Sequence, residues 1–161
     1  MICIEAAHSK DAKLIETIAG PIWQQHYSNI IGREQVDYML AKFQSESAIS
    51  TQIQSGIEYF LIYENQMACG YMALQAKPEV LFISKFYLNE QSRGKGIGRL
   101  MLDKARSVAR LKRLSRLELT VNKENPALAA YLKLGFEILG AVKIDIGNGF
   151  VMDDYRMQQR L

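Results

Sequence analysis

Cysteine and proline are scarce, two of the first and three of the second in 161 residues. Cys3 and Cys69 have no companion at a disulfide or metal-ligand spacing. A disulfide scaffold and a zinc module are therefore excluded, two reduced thiols are expected, and no metal is. Long apolar runs are also missing, so no bilayer-spanning helix is expected. The first residues include Glu5 and lack the basic-then-apolar pattern of an export signal, which makes the cytoplasm the expected compartment and a membrane partner unexpected. Pro/Gly/Ser linkers, repeats and low-complexity tracts are absent as well. At this length, residues 1–161 are expected to form a single domain.

Acidic residues are nearly missing from one stretch. Between Arg93 and Arg116 there are nine lysines and arginines against Asp103 alone, while the rest of the chain carries 11 basic and 16 acidic groups. A local basic stripe on an otherwise acidic protein suits a polyanion held at one place. It does not suit nucleic acid, which favours a broadly basic surface.

The stripe begins inside the most informative segment. Val80 to Leu88 is rich in β-branched, aromatic and leucine side chains and reads as a buried strand. Ile97, Leu100, Met101, Ala105, Val108 and Ala109 recur at helical spacing. Between strand and helix lies Arg93-Gly94-Lys95-Gly96-Ile97-Gly98-Arg99. A glycine loop entering a helix N-terminus presents free N–H groups and a partial positive charge to a phosphate. The Walker A spacing fails, because Asn89 stands where its first glycine belongs, and the dinucleotide spacing fails too.

The remaining chain reads in order. A strand covers residues 1–6, and a helix capped by Ser9 follows, interrupted or restarted at Gly20-Pro21. Short helices are predicted over 33–43 and 47–54, then strands over 57–63 and 67–74, with Gly70 marking a bulge or a close approach. After the long helix come a strand at 116–121, a helix opened by Asn125-Pro126 and closed at Gly135, and strands at 136–146 and 150–157 about a Gly147-Asn148-Gly149 turn. The expected class is α/β (α+β), a single mixed, mostly antiparallel sheet of six to seven strands with helices on both faces.

Arg93-Gly-Lys-Gly96-Ile-Gly98 fits the pattern Arg/Gln-x-x-Gly-x-Gly/Ala, which resembles the coenzyme A pyrophosphate loop of the GCN5-related N-acetyltransferase (GNAT) superfamily. A second segment in the expected order, Val121-Asn122-Lys-Glu-Asn125-Pro-Ala127-Leu-Ala-Ala130-Tyr131-Leu-Lys-Leu-Gly135-Phe136, is similar to that superfamily's other coenzyme A motif. Asp153-Asp154-Tyr155-Arg156-Met157 resembles its final strand. Tyr38-Met39-Leu40 and Gln52-Ile53-Gln54-Ser55-Gly56 resemble a bacterial subgroup that includes polyamine acetyltransferases.

The resemblance implies the GNAT acyl-CoA N-acyltransferase fold and transfer of an acetyl group from acetyl-CoA to an amine by direct attack. It implies that Phe86, Tyr87 and Leu88 end a bulged strand whose main chain pairs with the pantetheine arm. Arg93, Gly94, Lys95, Gly96, Ile97, Gly98 and Arg99 are then expected to wrap the pyrophosphate, and Asn122 and Asn125 to contact pantetheine. Tyr131 is expected near the sulfur as the proton donor. A homodimer is the assembly the fold suggests by analogy.

The general base is left open. Many superfamily members carry a glutamate on the central strand, where this chain has no carboxylate and offers Lys85. Glu58, Asp153, Asp154, His26 and ordered water remain candidates. Trp23, His26, Tyr27, Tyr38 and Tyr59 are the expected acceptor lining. The acidic balance outside the loop helix suits a cationic small-molecule amine such as a polyamine. A protein N-terminus or lysine side chain, and a non-catalytic acyl-CoA sensor, stand as alternatives.

Overall fold

A computed structural model describes residues 1–161. The chain runs β1 (Ile2–Ala7), α1 (Ala12–Ile31), α2 (Arg33–Phe43), α3 (Glu46–Gln54), β2 (Glu58–Glu64), β3 (Met67–Lys77) and β4 (Val80–Leu88). It continues through α4 (Ile97–Leu111), β5 (Arg116–Asn122), α5 (Ala127–Lys133), β6 (Glu137–Gly147) and β7 (Phe150–Arg160). The seven strands form one sheet in the order β1-β2-β3-β4-β5-β7-β6. Every neighbouring pair is antiparallel except β4 and β5. This is the mixed, mostly antiparallel sheet expected from the sequence.

Two cores sit on opposite faces. The apolar stripe of α4 (Ile97, Met101, Leu102, Ala105, Val108 and Ala109) packs with Leu81, Ile83 and Leu117. Each of the larger side chains, fully buried, contributes roughly 1.5–3 kcal/mol, so the helix behind the glycine loop is firmly anchored. The other face is covered by α1, α2 and α3 through Ile15, Ile22, Trp23, Val36, Met39 and Ile49.

Two local readings need correction. Ser9 does not cap α1; Ser9–Asp11 forms a 3-10 turn, with Asp11 Oδ2 accepting the His8 N–H at 2.8 Å. Nor does Gly20-Pro21 interrupt the helix, since α1 passes straight through Pro21. The ring faces solvent, while buried Ala19, Ile22 and Trp23 on either side hold the helix to the sheet, and that packing outweighs the one lost N–H. Gly70 is a close approach, as anticipated: a Cβ there would lie 2.3 Å from the Tyr87 carbonyl oxygen.

Two irregularities in β4 create the site. Ala73 pairs with Lys85 but Leu74 with Ile83, so Ser84 is an extra, unpaired residue, a β-bulge. On its other edge β4 pairs with β5 only at Val80, Leu81 and Phe82. Beyond Phe82 the two strands diverge, and the sheet opens from one face to the other.

Candidate active site

The glycine loop stands at the mouth of this opening. Gly94 and Gly96 have φ of 76° and 82°, a conformation that side chains disfavour. The space in front of Gly94, Gly96 and Gly98 is empty to 4 Å. No main-chain N–H from Gly94 through Arg99 donates within the chain. Six adjacent donors, four of them at or beside the start of α4, are therefore left without an acceptor in the chain, as a diphosphate requires.

Two of the three loop cations do other work. Arg93 donates through Nε and Nη2 to the Leu88 carbonyl, at 3.1 and 3.0 Å, tying the loop to the end of β4. Lys95 pairs with Glu64 at 2.9 Å. Farther along, Arg106 pairs with Asp103 and Lys112 with Glu58, both at 2.8 Å. Lys95, Arg106 and Lys112 are thus neutralised locally, whereas Arg99, in the first turn of α4, pairs with no carboxylate and adds its charge to the main-chain amides.

Behind the loop a cavity of about 650 Å³ passes between the diverging strands. That is the size of an ordinary small-molecule site. Phe86, Tyr87, Leu88, Arg93, Gly98, Asn122, Asn125 and Tyr131 line it, together with Trp23, His26 and Tyr27 from α1. The sequence-predicted residues from three distant segments therefore converge. Tyr38 and Tyr59 do not line it. Tyr38 donates to the Ile146 carbonyl at 2.6 Å and braces the β6–β7 hairpin, whereas Tyr59 is core, donating to Gln52.

The aromatic residues interlock across the opening. Trp23 lies 4.5 Å from Tyr27 and 5.3 Å from Tyr87, and Phe86 lies 5.9 Å from Tyr131, centroid to centroid. Burial raises the pKa of these phenols: Tyr27 is pushed up to about 12, and Tyr131 and Tyr87 also rise. All three stay protonated near neutrality, and the Tyr27 hydroxyl accepts from Asn125 Nδ2 at 3.3 Å.

Asn122 and Asn125 shape the β5–α5 connection. Asn122 Oδ1 accepts the Glu124 N–H at 2.8 Å. Asn125 Oδ1 accepts from the Ala127 N–H and lies 2.9 Å from His26 Nε2. Because that oxygen can only accept, His26 carries its proton on Nε2 and keeps a lone pair on Nδ1 when neutral. The contact also fastens α1 to the far side of the opening.

The base candidates separate clearly. Glu58 is held by Lys112 outside the cavity, and Asp153 pairs with Lys123 at 3.0 Å. Asp154, one residue on and facing inward, is buried in the lining. Burial first, then the neighbouring Asp153 charge, pushes its carboxyl up to about 6 against a hydrogen bond from Thr120. Asp154 and His26 are the two candidates inside the cavity.

Sequence reading did not place Lys85, Gln44, Gln52, Met39 and Phe43 in the lining. In the sequence Lys85 stands out only as a departure from a glutamate. A cue for its burial lay in the apolar run around it; for the other four no local signal exists. Neither a group of three or more metal-ligating side chains nor a helix long and apolar enough to cross a membrane is present.

The sequence profile described as "Acetyltransferase (GNAT) domain" matches residues 28–158. No curated protein matches the sequence. Among solved structures, a PaiA N-acetyltransferase from Thermoplasma acidophilum in complex with coenzyme A superposes with a TM-score of 0.84 at 19% identity, covering 100% of this chain and 99% of that one. A ribosomal-protein-alanine N-acetyltransferase from Brucella melitensis gives 0.70 at 20% identity, with 99% of each chain covered. YncA from Salmonella typhimurium, a putative acetyltransferase with its cofactor acetyl-CoA, gives 0.67 at 20%, covering 99% of this chain and 94% of that one. These identities speak for a shared fold, and the profile match speaks for descent. The chain belongs to the GNAT acetyltransferase family and is an acetyl-CoA-dependent N-acetyltransferase.

Proposed function

We propose that the protein moves an acetyl group from acetyl-CoA to a primary amine of a small molecule, by direct attack within the opening between β4 and β5. One observation carries this reading: six main-chain donors at the glycine loop that bond to nothing within the chain stand beside a cavity, lined by Gly98, that holds both a half-buried tyrosine, Tyr131, and a buried carboxylate, Asp154. The residues fit the co-substrate. The amides of Gly94 to Arg99 would hold the diphosphate, and the free edge of Phe86, Tyr87 and Leu88 would pair with the pantetheine arm. Bound acetyl-CoA supplies an activated acyl carbon.

The rest is done by this chain. An alkyl ammonium titrates near ~10.4, so the acceptor arrives protonated. Asp154, ionised above about 6, accepts a hydrogen bond from that ammonium and helps pass its proton to solvent water as the nitrogen attacks. Beyond Phe82 the β5 edge of β4 has no strand partner, so main-chain N–H groups there would be placed to stabilise the negative charge that develops on oxygen. Tyr131 points a phenol at the sulfur position. Its raised pKa makes full transfer to a thiolate of about 8.5 uphill, so it acts by hydrogen bonding and the proton comes from solvent.

The acceptor lining bears on the polyamine reading. Its basic groups are Lys85, Arg93 and His26, and Asp154 is its one carboxylate. The remaining ammonium groups of a polyamine find no partner there, so a compact amine fits this lining better than spermidine. The test is release of free thiol from acetyl-CoA across a panel of small amines, peptides and polyamines. Turnover confined to small amines supports the reading. Tight coenzyme A binding without thiol release favours a sensor module, and preference for a peptide N-terminus favours protein acetylation.

A further inference from the structure

Lys85 follows the bulged Ser84 and points into the α1–α3 side of the cavity, where it is only 6% exposed. Its Nζ donates to the Phe43 carbonyl and lies 5.2 Å from the centre of the Tyr59 ring. The acceptors around it are already engaged. Phe43 O also accepts from Gln52 Nε2 at 3.2 Å, Gln52 Oε1 accepts from Tyr59, and Gln44 Oε1 accepts from Tyr71 at 2.8 Å. An ammonium has three N–H donors, and only one of these is used. No carboxylate pairs with it. Burial alone pushes its titration down to about 7.

A buried cation without a counter-charge is costly, and one carbonyl and one aromatic ring offset only part of that cost. A ligand entering the same cavity can. We propose that the acceptor is a zwitterion whose carboxylate binds Lys85 while its amine lies toward Asp154. The substrate class is then an amino acid or a related amine with a carboxylate a few bonds away, and an apolar or aromatic body suited to Trp23, Met39 and Phe43. The carboxylate would satisfy the two idle N–H donors and supply the missing charge. Lys85 is in this view the specificity-determining residue, occupying the strand where a glutamate would attract cationic acceptors.

This inference rests on the transfer reading, and the experiment separates the two. Thiol release is measured with acceptors matched in skeleton and differing in charge: tyrosine, tyrosinamide and tyramine, then 4-aminobutyrate and its amide. Each is run on the wild-type protein and on Lys85→Met, with circular dichroism and melting confirming the fold of the variant. The expected result is a kcat/KM about thirtyfold higher for acids than for amides, collapsing to within about threefold in Lys85→Met, the scale set by losing one partner of a buried charge pair. Amides equal to or better than acids in the wild type overturn the inference and leave the transfer reading intact. So does an equal loss on every acceptor with disappearance of a pH limb near 7, which makes Lys85 a base. If no amine releases thiol, the transfer reading fails. Calorimetry with N-acetyltyrosine against N-acetyltyrosinamide then decides the carboxylate question: tighter binding of the acid, abolished in Lys85→Met, supports it, and equal binding overturns it.

Discussion

The two halves of the cavity recognise their ligands by different physics. On the donor side, contiguous main-chain amides from Gly94 to Arg99 donate to nothing within the chain, and Arg93 and Lys95 are tied to Leu88 and Glu64. On the acceptor side, recognition falls to side chains from α1, α2, α3, β4 and β7, including Trp23, Met39, Gln52, Lys85 and Asp154. A backbone site needs glycines in one short segment and leaves a signature there. A side-chain site is assembled by the fold and leaves almost none. The first is built for one ligand, whereas the second can be retuned one residue at a time.

The sharpest way to break this contrast is to add a side chain to the donor half. Gly96→Val places a β-branched residue at a φ of 82° and fills the space a diphosphate would occupy. Coenzyme A affinity, read by calorimetry, should fall by at least ~100-fold, as when several charge-assisted hydrogen bonds are lost together. Arg93→Ala should cost less than tenfold or so, because that guanidinium serves the Leu88 carbonyl. The reverse ranking would return the phosphate site to the side chains.

Next in size is the acceptor-side base. Asp154→Asn should lower kcat/KM about 100-fold at pH 7.5 and remove the acidic limb near pH 6, with coenzyme A affinity unchanged. If the limb persists, His26 or water is the base. Tyr131→Phe should lower kcat by about tenfold, consistent with a hydrogen bond, without the larger loss expected for an obligatory acid.

The same contrast explains what the sequence disclosed. Strand, glycine loop and helix are contiguous, so the donor half could be read from residues 80–111, and Tyr131 followed from the second motif. The antiparallel hairpins announced themselves through their turns: Asn65 and Gln66, and Asn148 and Gly149, all have positive φ. Lys85 could not be placed, because Val80 to Leu88 is an apolar run without alternation. The Ser84 bulge shifts the facing pattern by one residue: Ile83 and Phe86 pack toward the α4 face, and Lys85 and Tyr87 toward the other. Asp154 was recoverable in principle, since a strand that turns Asp153 outward must turn its neighbour inward. Tyr38 and Tyr59 were misplaced for the opposite reason, since an aromatic on a helix or strand carries no local mark of which cavity it meets.

The smallest effect is on stability, and its pH dependence isolates the two buried charges. Asp154 titrates near 6 when folded against an ordinary 3.8, so between those values the folded chain holds the extra proton and stability falls as pH rises. Lys85 titrates near 7 when folded against 10.5, so between those values the unfolded chain holds the extra proton and stability rises with pH. Between about pH 6 and 7 both groups are charged when folded, and their combined cost is greatest. Lys85→Met should therefore raise Tm by several degrees at pH 6, on the order of 2 kcal/mol, with the gain shrinking toward pH 10. A gain of the same size at every pH would assign the effect to packing and remove the electrostatic reason for the acceptor side to await a zwitterion.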